Sequence, residues 1–175
     1  DTVDYHALST GVTLRLFDTG LTNVTVGSTV NDHQLSDIEN IIGTSGNDTI
    51  EGDTQNNILD GYTGLADTIS YENTGSSVTV NLGSAINADI NFDSIVNVIL
   101  ATSGTSTTSG IDTLRNFDNI IGSTNNDTLI GNAEANTING GLGDDLLLGG
   151  AGSDYFLGGD GNNTVSYALV EQVTA

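Results

Sequence analysis

Three features of this 175-residue chain predict an all-β fold, a solenoid of short stacked strands. Glycine recurs every nine residues, at Gly122, Gly131, Gly140, Gly149 and Gly158. Five places after each stands a carboxylate or amide (Asp127, Asn136, Asp145, Asp154, Asn163), and two places further an apolar residue (Leu129, Ile138, Leu147, Phe156, Val165). Elsewhere, as at 11–16 and 77–82, apolar residues alternate with threonine, the period of a strand rather than a helix. A short fixed repeat with one apolar residue per unit specifies stacked coils, because no unit buries its apolar face alone.

Each unit divides in two. In the clearest copies, GGLGDDLLL at 140–148 and GGAGSDYFL at 149–157, the front half must turn tightly, and only glycine enters left-handed backbone at low steric cost. The back half suits a strand of about three residues whose middle side chain alone points inward. Two units close one coil, and coils stack at roughly 4.8 Å by parallel pairing. On that two-unit period Asp127, Asp145 and Asn163 line one edge, and Asn136 and Asp154 the opposite edge.

Glycine-rich turns expose carbonyl oxygens, so a cation between two stacked turns gains oxygens from both, and the aspartates complete its shell. Six to eight oxygens at about 2.3–2.6 Å is calcium chemistry. The repeats hold no Cys or His to favour a softer metal. The candidate ligands are Asp127, Asn136, Asp145, Asp154 and Asn163, joined by Asp48 and Asp67 from earlier copies. Backbone oxygens are expected from the turns of Gly122, Gly131, Gly140, Gly141, Gly143, Gly149, Gly150, Gly152, Gly158, Gly159 and Gly161.

These residues follow the pattern G-G-x-G-x-D-x-(apolar)-x over 140–166 and, less closely, over 122–139. In this the chain resembles the RTX family, whose nonapeptides form calcium-filled rolls in proteins exported by bacteria. The resemblance implies a right-handed parallel β-roll, a β-helix-like solenoid with several Ca2+ ions between stacked turns. Degenerate copies lie at 43–51 and 52–60, and a third at 61–69 carries one extra residue before Asp67. Asn57, Asn136 and Asn163 replace the aspartate, and Thr44, Asp53, Ser123 and Asn132 replace the second glycine. The tightest sites are therefore expected between the turns starting at Gly131 and Gly149, or Gly140 and Gly158. Sites using Asp48 and Asp67 are less regular because of the insertion.

Two Lys+Arg stand against 23 Asp+Glu, a formal net charge of -21. Such charge favours an expanded chain until cations neutralise it, so folding is expected to couple to metal binding. It disfavours nucleic acid and anionic membrane surfaces as partners. With no cysteine there is no disulfide framework, and calcium is expected to serve as the staple. No apolar run is long enough for a signal peptide or a membrane span.

A longer self-similarity overlies the nonapeptides. DTVDY at 1–5 recurs as DTISY at 67–71 and NTVSY at 163–167, and LSDIENIIG at 35–43 as LRNFDNIIG at 114–122. One continuous body over 1–175 is expected, with module one at 1–66, module two at 67–163 and the start of a further module at 164–175. Stretches 17–34 and 83–113 are expected to protrude as loops, the Ser/Thr/Gly run 101–110 being the most mobile. The chain reads as a segment of a larger polypeptide.

His6 and His33 read as solvated loop histidines, and Arg15 and Arg115 as salt-bridge partners of nearby carboxylates. The expected function is a non-catalytic, extracellular, secreted or cell-surface calcium-binding roll that folds on binding calcium and supports secretion of a larger protein, the rest of which is its partner. The alternatives are an adhesive module binding a glycan or host surface, and the accessory roll of a secreted polysaccharide-modifying enzyme; the scarcity of Lys and Arg argues against holding a polyuronate.

Overall fold

The structure, a computed structural model, describes residues 1–83, 96–100 and 111–167. All regular elements there are strands: β1 (Thr2–Asp4), β2 (Val12–Arg15), β3 (Thr22–Val26), β4 (Thr29–Leu35), β5 (Asn40–Ile42), β6 (Thr49–Glu51), β7 (Ile58–Asp60) and β8 (Thr68–Ser70). They continue as β9 (Val78–Asn81), β10 (Val96–Leu100), β11 (Ile111–Arg115), β12 (Asn119–Ile121), β13 (Thr128–Ile130), β14 (Thr137–Asn139), β15 (Leu146–Leu148), β16 (Tyr155–Leu157) and β17 (Thr164–Ser166). The expected all-β roll of parallel strands is what forms.

Alternate strands enter two facing sheets. One has the order β1-β5-β7-β11-β10-β9-β13-β15-β17, the other β16-β14-β12-β8-β6-β2-β3-β4. A chain turning after every three-residue strand returns to the same sheet two strands later, so successive neighbours pair in parallel. Leu129 aligns with Leu147 and Leu147 with Val165; across the roll Ile120 aligns with Ile138 and Ile138 with Phe156. The inward middle residues Ile41, Ile50, Leu59, Ile69, Ile120, Leu129, Ile138 and Leu147 are fully buried and form a core one side chain deep per coil. Removing such a side chain from water contributes about 1.5–3 kcal/mol each.

The parallel stack is interrupted twice. Residues 17–34, expected as a protruding loop, instead supply β3 and β4, an antiparallel meander on β2. Its tight turn at Gly27 (φ 59°) and Ser28 pairs Val26 with Thr29, and Thr22 and Val24 are buried beneath it. The second stretch expected as a loop supplies β10 and β11, antiparallel to each other, and β10 is antiparallel to β9. β11 then joins β7 in parallel. The run 101–110 lies outside the described residues.

The two interruptions fall on opposite sheets. β1 and β2 correspond in sequence to β8 and β9, yet β1 lies in the nine-stranded sheet and β8 in the eight-stranded one. Five strands of the parallel stack (β1, β2, β5, β6 and β7) precede β8, and an odd number reverses the faces. Where module two returns to the stack, only Asn116, Phe117 and Asp118 join β11 to β12, with Asn116 in the left-handed region (φ 55°). Asp37 takes the same φ of 55° at the equivalent corner before β5.

Candidate metal sites in the turns

The residue two places before each inward apolar side chain forms a rung that joins one coil to the next. On one edge the Asp127 N–H donates to Asp145 Oδ1 at 2.9 Å, and the Asp145 N–H to Asn163 Oδ1 at 2.9 Å. On the other edge the Asn136 N–H donates to Asp154 Oδ1 at 3.0 Å. The two edges expected from the nine-residue period are thus the ones observed, and Asp48 and Asp67 join them. The Asp48 N–H donates to Asp67 Oδ1 at 2.8 Å, and the Asp67 N–H to Asp118 Oδ2 at 2.9 Å.

Asp118 and Asp112 were not among the sequence candidates. Asp112 accepts from the Asn57 N–H at 3.0 Å and the Tyr71 hydroxyl at 3.0 Å. Neither aspartate follows a turn glycine, which hid both. The available signal was their placement two residues before an inward side chain, Leu114 or Ile120, as Asp127 stands before Leu129.

The glycines occupy positions where stacked turns touch. A Cβ on Gly122, Gly131 or Gly140 would collide with the rung oxygen of its own turn and with the carbonyl oxygen of Gly140, Gly149 or Gly158 one coil on. A carbonyl and a rung oxygen therefore converge in the space a side chain would fill. At position two Gly141, Gly150 and Gly159 have φ of 94°, 90° and 82°, and at position four Gly143, Gly152 and Gly161 have 114°, 109° and 105°. A Cβ at any of these six would strike a backbone atom of the preceding coil's turn. Only glycine allows both the left-handed turn and that approach.

Position two separates the turns into distinct kinds. The Thr44 N–H and hydroxyl donate to Asp48 (2.6 and 2.9 Å), and the Ser123 N–H and hydroxyl to Asp127 (2.6 and 2.8 Å). Each carboxylate gains a third donor from a neighbouring coil, the N–H of Val12 (2.7 Å) or Val78 (2.8 Å). Asp53 and Asn132 donate their N–H to the side-chain oxygens of Asn57 and Asn136, at 3.0 and 2.9 Å. In return the amide nitrogens of Asn57 and Asn136 donate to the carbonyls of Glu39 (2.8 Å) and Asp118 (2.7 Å) in the preceding coil. The turns entering Asp67 and Asp145 differ: Asp67 Oδ2 and Asp145 Oδ2 are buried with no hydrogen-bond partner. Tyr62, at position two before Asp67, takes φ 68°, matching Gly141 rather than Thr44 or Ser123.

Burial raises the carboxyls. Asp67 is pushed up from 3.8 to about 7 by desolvation, with the charges of Asp48 and Asp118 adding to the effect. Asp112 rises to about 6, mainly through burial. Asp118, Asp127 and Asp145 are also raised by burial, opposed at Asp127 by the bonds from Val78 and Ser123. A bound cation reverses this balance by favouring the charged form.

The residues fit calcium. The donors are carboxylate and carbonyl oxygens, and two buried carboxylate oxygens lack a partner. Among the described residues no three acidic or histidine side chains converge on one point, so a calcium shell here would need other oxygens, such as the turn carbonyls, beside the carboxylates. A family model, the RTX calcium-binding nonapeptide repeat, matches residues 35–64, 116–147 and 130–165. Residues 35–64 and 116–165 are thus matched as RTX calcium-binding nonapeptide repeats. RTX nonapeptide repeats bind Ca2+, and their presence here implies a calcium-binding β-roll. No curated protein matches it. RTX repeats occur in exported proteins, and among the described residues no helix is long and apolar enough to cross a membrane.

The remaining polar candidates have structural partners. Arg15 lies 3.3 Å from Glu51 and over the Phe17 ring. His6 bonds to Asp4 at 2.7 Å. His33, expected in a loop, is on β4, where its ring stacks on Tyr5 with 5.6 Å between centroids.

Proposed function

We propose that this RTX roll is a calcium-dependent folding segment that completes its fold outside the cell and supports the export and stability of a larger protein, without catalysing a reaction itself. One observation carries the reading: a chain of net charge -21 places a buried carboxylate or amide at almost every coil junction, and two of the carboxylates have an unsatisfied oxygen. Leaving charge in that position is costly without a cation. At low intracellular calcium the roll stays incompletely folded and threadable, and at millimolar calcium it locks. A site whose Kd lies a hundredfold below ambient calcium adds about 2.7 kcal/mol. Far-UV circular dichroism after chelation, followed by a calcium titration, tests this. A cooperative gain of β signal at roughly 10⁻⁴–10⁻³ M is expected. An unchanged spectrum, folded or unfolded, would overturn it.

A second reading, adhesion, has one observation in its favour. The three-residue corner 116–118 leaves a groove of about 370 Å³ beside the turns, lined by Tyr62, Arg115, Asn116, Asn132 and Glu134 among others. That mixture of an aromatic ring with hydrogen-bonding side chains suits a sugar. A glycan-array screen in calcium checks it, and uniform silence removes this reading.

A further inference from the structure

We propose that position two of each turn decides whether the turn takes calcium, so that in each module two turns are closed by the protein's own hydrogen-bond donors and calcium enters only from the third. The inference rests on the calcium reading above and specifies which junctions are metal sites.

Module by module the pattern recurs. In the first turn (Gly43, Gly122) a hydroxyl residue and a neighbouring backbone N–H fill the carboxylate of Asp48 or Asp127 with three donors. A carboxylate offers about four acceptor sites, and N–H and O–H protons directed at it stand where a cation would have to lie. In the second turn (Gly52, Gly131) the amide nitrogen of Asn57 or Asn136 reaches the carbonyl one coil back, Glu39 or Asp118, bridging oxygens as a cation would. In the third turn (Gly61, Gly140) position two is left-handed and its N–H makes no bond to the rung. Asp67 and Asp145 are only 1% and 2% exposed; Oδ1 of each accepts from the N–H of Asp48 or Asp127, and Oδ2 of each has no hydrogen-bond partner. The same sequence of hydroxyl cap, amide cap and open carboxylate arises from different residues in the two modules, Thr44 against Ser123, Asp53 against Asn132 and Tyr62 against Gly141. In the turns at Gly149 and Gly158 position two is again left-handed, at Gly150 and Gly159.

The test uses the full chain and calcium itself as probe, with stoichiometry and affinity read by isothermal titration calorimetry. Asp145→Asn and Asp67→Asn are expected to lose bound calcium or to weaken its binding by at least about tenfold. Asp48→Asn and Asp127→Asn are expected to keep the calcium count and to melt earlier equally in calcium and in chelator. Ser123→Ala, which removes one donor and risks the fold less, should behave as the latter pair does. Hydrogen exchange in chelator should show protection surviving near Ile50, Leu59, Leu129 and Ile138 and lost near Leu147. Equal calcium loss from Asp127→Asn and Asp145→Asn, or uniform loss of protection in chelator, overturns the assignment. A wild-type chain that binds no calcium overturns the reading on which it rests.

Discussion

At Gly141 the backbone turns with φ 94°, and a Cβ would strike the Ser123 carbonyl. Gly141→Ala is therefore expected to cost about 1–3 kcal/mol, measured by urea unfolding in calcium. Gly75→Ala is the control: its φ is not positive and nothing lies within 4 Å of a Cβ there, so a change within about 0.5 kcal/mol is expected. The buried carboxyls set a pH dependence. Asp67 has a folded pKa raised from 3.8 to about 7, so the calcium-free roll binds more protons than the unfolded chain between those values. Its contribution is fully present below about 4 and lost as pH rises through about 7. Asp112 acts in the same sense up to about 6. Denaturant midpoints in chelator should fall across this window, while calcium affinity rises as protons leave. A midpoint that rises between pH 4 and 7 would contradict the assignment.

Among the elements, the three-residue strand with one inward side chain is the unit of stability. Leu147 on β15 is fully buried between Leu129 and Val165, and a core one residue deep has little to collapse into the space left by truncation. Leu147→Ala should cost about 2–5 kcal/mol. Val165 on β17, at the edge of its sheet and 39% exposed, should lose far less on truncation, so thermal melts of the pair rank the coils. These strands were legible because each unit carries its own glycine and its own apolar residue. The meander β2–β3–β4 was less so, although Gly27-Ser28 between Val24-Thr25-Val26 and Thr29-Val30 is a hairpin signal. It breaks the nonapeptide period and so reads as an insertion. Only the antiparallel bonding of β3 to β2 turns it into sheet.

Across the whole molecule the two modules place equivalent strands on opposite sheets, so the meanders widen first one face and then the other. The excess of 23 acidic over 2 basic residues is carried by the same coils. Screening should therefore stabilise the chelated chain: its melting temperature is expected to rise with added sodium chloride, and to respond less once calcium is bound. Equal salt responses in calcium and in chelator would separate the charge from the metal.

From the sequence alone came the all-β class, the two edges of rungs and the choice of calcium, because a strict nine-residue period maps each residue type to one place on a coil. Only the tertiary structure decided which carboxylates keep a free oxygen. Asp127 and Asp145 occupy the same repeat position, but Ser123 turns its N–H and hydroxyl onto the first, whereas the left-handed Gly141 leaves Oδ2 of the second without a partner. The difference lies in where hydrogen-bond donors point, a property of the folded turn and its stacked neighbour.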